Sequence, residues 1–202
     1  MKRMKRYGWA AITAAVCASA SVYAQQMPKE SDMQDMMKAM TSLMGGGTNA
    51  APTADFREMK ALLPLELEGM KRTKASGEKS GAMGMKISYA EGSYEGTDGG
   101  AVEIKISDMG GMGGFMAMAQ AGWASSEIDR ETDTGFERTV MYGNHKALEK
   151  FDTSSRSGEI QILVNNRFMV EVSGNDVDFD ALKAAAQKVD LNKLAGLKPA
   201  AK

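Results

Sequence analysis

The sequence predicts an α+β domain, an antiparallel β-sheet of about 6–7 strands covered by helices in an α/β/α sandwich-like arrangement, with a separate amphipathic helix ahead of it. Three features point there. The stretch 101–123, AVEIKISDMGGMGGFMAMAQAGW, reads as a strand, a glycine loop and a helix. Val102, Ile104 and Ile106 alternate with Glu103, Lys105 and Ser107, the period of a strand with one oily face. Phe115, Met118, Ala119, Gly122 and Trp123 then fall on one helical stripe. Turn pairs such as Gly143-Asn144 and Asn165-Asn166 separate further alternating runs, and hairpins that short join antiparallel neighbours. A closing helix over residues 178–189 puts Leu182, Ala185, Ala186 and Val189 on one face, suited to lie on a sheet.

Residues 1–24 read as a signal peptide. Lys2, Arg3, Lys5 and Arg6 form a basic region, residues 9–22 are apolar and alanine-rich, and Val22-Tyr23-Ala24 offers a small-residue cleavage site. The apolar run is short for a bilayer span, so the expected product is periplasmic or secreted, starts at Gln25 and has no transmembrane segment. Cys17, the single cysteine, lies inside this leader behind Ala14, Ala15 and Val16, with no leucine at the place a lipidation box needs. The mature chain then has no cysteine, hence no disulfide, thiolate metal site or cysteine nucleophile. Removing 24 of the 202 residues leaves 178, room for one domain with a sizeable core. Four basic residues leave with the leader, so 21 basic side chains face 26 acidic ones, a net charge of −5. No basic cluster survives, which makes nucleic acid and anionic membrane surfaces poor electrostatic partners.

The mature chain opens with a methionine-rich amphipathic helix over residues 25–44. Ser31 and Gln34 form a capping box, and Met33, Met36, Met37, Met40, Leu43 and Met44 recur at helical spacing. Residues 45–53 form a flexible linker of Gly, Thr, Asn, Ala and Pro, residues 54–197 the single α+β domain, and residues 198–202 a tail. Within the domain, a helix over 55–62 carries Phe56, Met59, Leu62 and Leu63 and stops before Pro64. A strand over 70–75 follows, then a Gly- and Ser-rich turn over 76–84. Met85, Ile87 and Tyr89 next alternate with Lys86, Ser88 and Ala90, and Thr97-Asp98-Gly99-Gly100 turns the chain back into the central strand. After Trp123 come strands over 127–131, 136–142, 146–152, 160–164 and 168–172, the closing helix, and a short helical turn bearing Leu191 and Leu194.

This order, a strand pair, a crossover helix, a run of antiparallel strands and a terminal helix, resembles the PsbP-like and DcrB-like secreted α+β domains over residues 62–197. The resemblance is one of topology and carries no functional residues across. It implies a non-catalytic accessory or binding module.

Each candidate chemistry meets a plainer explanation. The Gly110 to Gly114 loop, GGMGG, lacks the G-x-G-x-x-G order and the Gly-Lys-Ser/Thr ending of nucleotide sites. Asp176, Asp178 and Asp180 begin a calcium-loop spacing, but Ala181 and Gln187 stand where glycine and glutamate are required, so an acidic helix start is expected instead. Ser76-Gly77-Glu78-Lys79 matches S-x-x-K without its companion motifs. The sole histidine, His145, follows a hairpin turn and is expected to be exposed there, with no partner at a diagnostic spacing. The methionines remain, as soft thioether ligands or as adaptable packing and contact groups.

The expected function is therefore that of an exported, non-enzymatic binding or accessory domain needing no cofactor. Met33, Met36, Met37, Met40 and Met44 are its expected contact residues toward a protein, a lipid surface or a second copy of the chain. One alternative is a Cu(I) or Ag(I) binder using Met33, Met36, Met37, Met40, Met109 and Met112. Another is a small hydrolase with a pocket around Ser76, Lys79 or His145.

Overall fold

The computed structural model describes residues 52–82, 85–111, 122–123 and 125–200, all within one compact unit, Ser42–Lys202. Helix α1 (Phe56–Ala61) is capped by Asp55, whose carboxylate accepts from the Arg57 amide. It is followed by β1 (Glu66–Leu67), β2 (Met70–Ala82), β3 (Met85–Gly96) and β4 (Ala101–Gly111). After the crossover come β5 (Asp129–Thr132), β6 (Gly135–Tyr142), β7 (His145–Asp152), β8 (Ser157–Val164) and β9 (Phe168–Asn175). Helices α2 (Phe179–Gln187) and α3 (Leu191–Ala195) close the described chain. The strands form one sheet in the order β1-β2-β3-β4-β9-β8-β7-β6-β5, antiparallel at every pair.

This corrects the expected fold class. The domain is mainly β, nine strands in place of 6–7, and its three described helices of 6, 9 and 5 residues do not make an α/β/α sandwich. Dimensions decide the matter. Nine strands span about 38 Å across the sheet, whereas the nine residues of α2 reach about 14 Å. Phe56 of α1 lies over Gly77, and Leu182 of α2 over Gly174; both glycines belong to one sheet face, so these helices cover that face only.

The extra strand length comes from segments that read as turns. Residues 76–82 continue β2 in register with β3, because a hairpin edge asks only for backbone pairing and tolerates small residues. At Gly77 a Cβ would stand 2.6 Å from the Phe56 ring, so its bareness serves helix packing. Gly110 and Gly111 likewise extend β4. The Asp108 carboxylate takes the Gly110 amide at 2.8 Å, and Gly111 pairs with Lys86 so tightly that a Cβ would meet the Lys86 carbonyl at 2.2 Å. The rest of the expected glycine loop and helix, residues 112–121, lies outside the described residues.

Inward phases follow the alternation on most strands. One continuous row crosses the sheet through Gly77, Ala90, Ile106, Val170, Ile162, Ala147 and Val140, under α1 at one end and α2 in the middle. On β3 the phase is the reverse of the apolar reading: Ser88, Ala90 and Tyr94 are buried and Ile87 is exposed. Small residues win there because α1 sits against β2 and β3, and Tyr94 donates its hydroxyl to the Pro64 carbonyl at 2.8 Å to close the edge. The hairpin turns are as expected, with Asn165 and Asn166 both at positive φ (51° and 49°) and Gly143 at 61°.

The β4–β5 connection must pass from the centre of the sheet to its far edge. Lys146 marks its path: it neighbours inward-facing Ala147, points to the opposite face, and its ammonium donates to the carbonyls of Trp123 (2.9 Å) and Ser126. On that same opposite face Glu171 lies between Lys105 and Gln161. Burial first, then the nearby Glu159, pushes its carboxyl above the usual range, with Lys105 opposing. A carboxyl raised on folding favours the fold while protonated, and that contribution is lost as pH rises through its folded value. Glu171→Gln is accordingly expected to raise Tm at pH 7 by roughly one or two degrees and to leave it unchanged near about pH 3.5. Thermal unfolding at the two pH values checks this; a lower Tm at pH 7 would mean that the contact with Lys105 outweighs burial.

Candidate functional site

Two buried carboxylates occupy the inward phase of the sheet, and each nucleates a cluster. Asp108 continues the run Val102, Ile104, Ile106 at the end of β4 and is fully buried. Its Oδ2 accepts from the Ala54 amide and from Arg167 Nη2, both at 2.6 Å; its Oδ1 accepts from Arg167 Nε at 3.0 Å and from the Gly110 amide at 2.8 Å. With every acceptor direction used, this carboxylate is a fastener: it ties the chain entering α1, the end of β4 and the β8–β9 hairpin to one point. Thr53, placed in the linker by its composition, is fully buried beside it, and its carbonyl accepts from Ala200 at 2.9 Å.

The second cluster borders open space. Across the sheet, Ile104, Val172, Ile160, Glu149 and Arg138 form one cross-strand row. Helix α2 lies on β4, β8 and β9, so the row passes out from under it and its last two places carry charge. Glu149 is 2% exposed. Its Oε2 accepts from Arg138 Nε at 2.8 Å and its Oε1 from the Tyr142 hydroxyl at 2.9 Å. Burial, and then the hydrogen bond to Glu149, push the Tyr142 hydroxyl far above its ordinary range, so it stays protonated and donates. The Arg138 guanidinium lies 4.5 Å from the Phe136 ring centre and 5.8 Å from that of Phe179, which pins its plane.

Beyond this triad a groove of about 950 Å³ runs between the β6–β7 hairpin and helices α2 and α3. Val140, Ala186, Val189 and Leu191 give it apolar walls; Arg138, Lys183, Lys188 and His145 reach its rim. It exists because the short helices stop before the sheet does. His145, expected as an exposed turn residue, is half-buried, opens β7 opposite Tyr142 and lines this groove.

The hydrolase constellation does not assemble. Ser76 and Lys79 stand three residues apart on a strand and so point to opposite faces. His145, on β7, lies five strands from β2, about 24 Å at normal strand spacing. Asp176 and Asp178 already hold a cation, the Arg156 guanidinium, at 3.2 and 3.5 Å; Asp178 takes the N-cap place of α2 without capping it by its side chain, and Asp180 sits in the first turn. Of the methionines in the alternative metal set, Met109 is a half-buried residue of β4, while Met33, Met36, Met37, Met40 and Met112 lie outside the described residues, as does Met44. Met59, by contrast, is core.

The residues that matter here, Arg138, Tyr142, Glu149, Asp108 and Arg167, were not singled out by any motif. A signal for three of them existed. Arg138 falls in phase with Phe136 and Val140, Glu149 with Ala147 and Phe151, and Asp108 with Ile104 and Ile106; a charge at an inward position of an alternating strand demands a buried partner.

Fold and site together define a class: a mainly β domain of one antiparallel sheet, the described helices α1 and α2 on one face, and a cationic groove where α2 and α3 run out. No family model matches this chain, and comparison with curated proteins and with solved structures finds no match either.

Proposed function

We propose that this chain is an exported, non-enzymatic binding or accessory domain, acting in the periplasm or outside the cell, with the methionine-rich segment 25–44 as a contact element toward a partner protein, a lipid surface or a second copy. The observation that carries the non-enzymatic reading is the state of Glu149. Both its oxygens are occupied by donors, and its neighbour Tyr142 is held protonated by burial. The groove therefore offers shape, apolar wall and positive charge, which serve binding, and its buried carboxylate is engaged by its own donors and not held ready to take a proton.

The contact role of Met33, Met36, Met37, Met40 and Met44 rests on their helical spacing, and flexible thioethers suit a groove of variable shape. The test is a pull-down from periplasmic extract with residues 25–202 and with residues 53–202. Truncation at this point keeps Thr53 and Ala54, whose backbone bonds to Ala200 and Asp108 close the domain. The shorter chain is expected to lose partner recovery while its Tm stays within about 4 °C. Equal recovery by both chains would remove the contact role; a collapse in stability would place the segment in the core.

A further inference from the structure

The groove beside Arg138 has a chemistry of its own, and three features converge on a ligand class. The first is the half-used guanidinium. Glu149 engages Arg138 through Nε only, and neither Nη atom has a hydrogen-bond partner among the described residues. The plane is fixed on one side by the buried carboxylate and over its face by Phe136 and Phe179, and the side chain is 43% exposed. Its outer edge, Nη1 and Nη2, is the fork that takes a carboxylate in two parallel hydrogen bonds.

The second feature is charge. Arg138 balances Glu149, and Asp190 is tied to Lys193 at 3.0 Å. Lys183 and Lys188 stand over the same groove with no ion pair among the described residues, so its rim is cationic on a mature chain of net charge −5. Such segregation against the overall sign concentrates small anions at one place.

The third is the wall. Val140, Val189 and Leu191 line the same groove, whose volume of about 950 Å³ lies at the upper end of small-molecule sites. A bare inorganic anion would leave that wall wet. We propose that the groove binds a small amphipathic carboxylate, its head group on the outer edge of Arg138 near Lys183 and Lys188 and its apolar part along Val140, Val189 and Leu191. The proposal rests on the binding-domain reading and names its ligand class.

The test is an amide NMR titration of residues 25–202 with octanoate, acetate and octylammonium as probes. Octanoate is expected to give saturable shifts confined to residues 138–145 and 183–192, acetate weaker ones at the same places, and octylammonium none. Arg138→Lys keeps a cation against Glu149 but loses the fork, and is expected to weaken octanoate about tenfold. The double variant Lys183→Glu, Lys188→Glu alters exposed residues alone, and should weaken it by a similar factor at unchanged Tm. No saturable shift up to about 10 mM octanoate, equal shifts with octylammonium, or unaltered affinity in both variants overturns the ligand class. Incubation with p-nitrophenyl octanoate separates this from the broader reading: hydrolysis abolished by Tyr142→Phe would overturn the non-enzymatic assignment and leave the ligand class standing.

Discussion

Asp108→Ala is expected to destabilise the domain by about 3–5 kcal/mol, a fall in Tm of about 10 °C or more for a chain of this size. The residue is fully buried and answers four donors. Its removal leaves Arg167, whose side chain is 20% exposed, without a counter-charge, and strands the amides of Ala54 and Gly110, each short of a partner that water reaches poorly. Ala54 leads into α1 and Arg167 sits in the β8–β9 hairpin, so amide exchange should rise at both places although they are far apart in sequence. Asp108→Asn separates charge from shape: it keeps one acceptor and should fall between the two. A Tm within about 2 °C of the parent would show that the cluster fastens nothing.

Arg138→Ala is expected to be the other large effect, about 3 kcal/mol at neutral pH, and to carry a pH signature. Without the guanidinium the Glu149 carboxylate remains buried with the Tyr142 hydroxyl as its described donor. A buried carboxylate without its counter-charge is costly while it is ionised, and the cost is relieved when it is neutral. That penalty is present in full at neutral pH and fades in acid. The variant should therefore lie closest to the parent near about pH 4 and fall furthest behind it above about pH 7. Urea titrations across that range read the difference directly. A deficit independent of pH would assign Arg138 to packing against Phe136 and Phe179 and not to charge.

The two clusters show where reading the chain as a string succeeds and where it stops. The hairpin at Asn165-Asn166 was legible because its demand is local: two adjacent residues able to hold positive φ. The inward set Val102, Ile104 and Ile106 was legible because its neighbours Glu103 and Lys105 left no alternative face. On β3 the same rule pointed the wrong way. Ile87 looks like a core residue, yet the face it shares lacks α1, and the helix rests on Ala90, a small residue that lets it come close. The fold class moved for a related reason. Glycine and serine over residues 76–82 and Gly110-Gly111 speak for turns in isolation, but once paired they are strand, and nine strands outrun the three short helices among the described residues.

The candidate site was less legible still. The motif-like spacings belong to Ser76 and Lys79, which the sheet sends to opposite faces, and to three aspartates, of which Asp176 and Asp178 pair with Arg156 and Asp180 sits in the first turn of α2. The groove arises from residues with no motif, placed by strand order: β6 lies near the margin because after β4 the chain passes from the centre of the sheet to its far edge.

By itself the sequence determined the alternation of most strands, the tight turns at Gly143-Asn144 and Asn165-Asn166, the amphipathic closing helix and the absence of cysteine from the expected mature chain, because each of these is set by neighbours a few residues apart. The tertiary structure alone decided which face of β3 turns inward, how far each strand extends, and which charges meet. Arg138 and Glu149 are eleven residues apart, and Asp108 and Arg167 fifty-nine; no local periodicity records such pairs, since what brings them together is the burial of the aliphatic rows between them and the sheet order that burial selects.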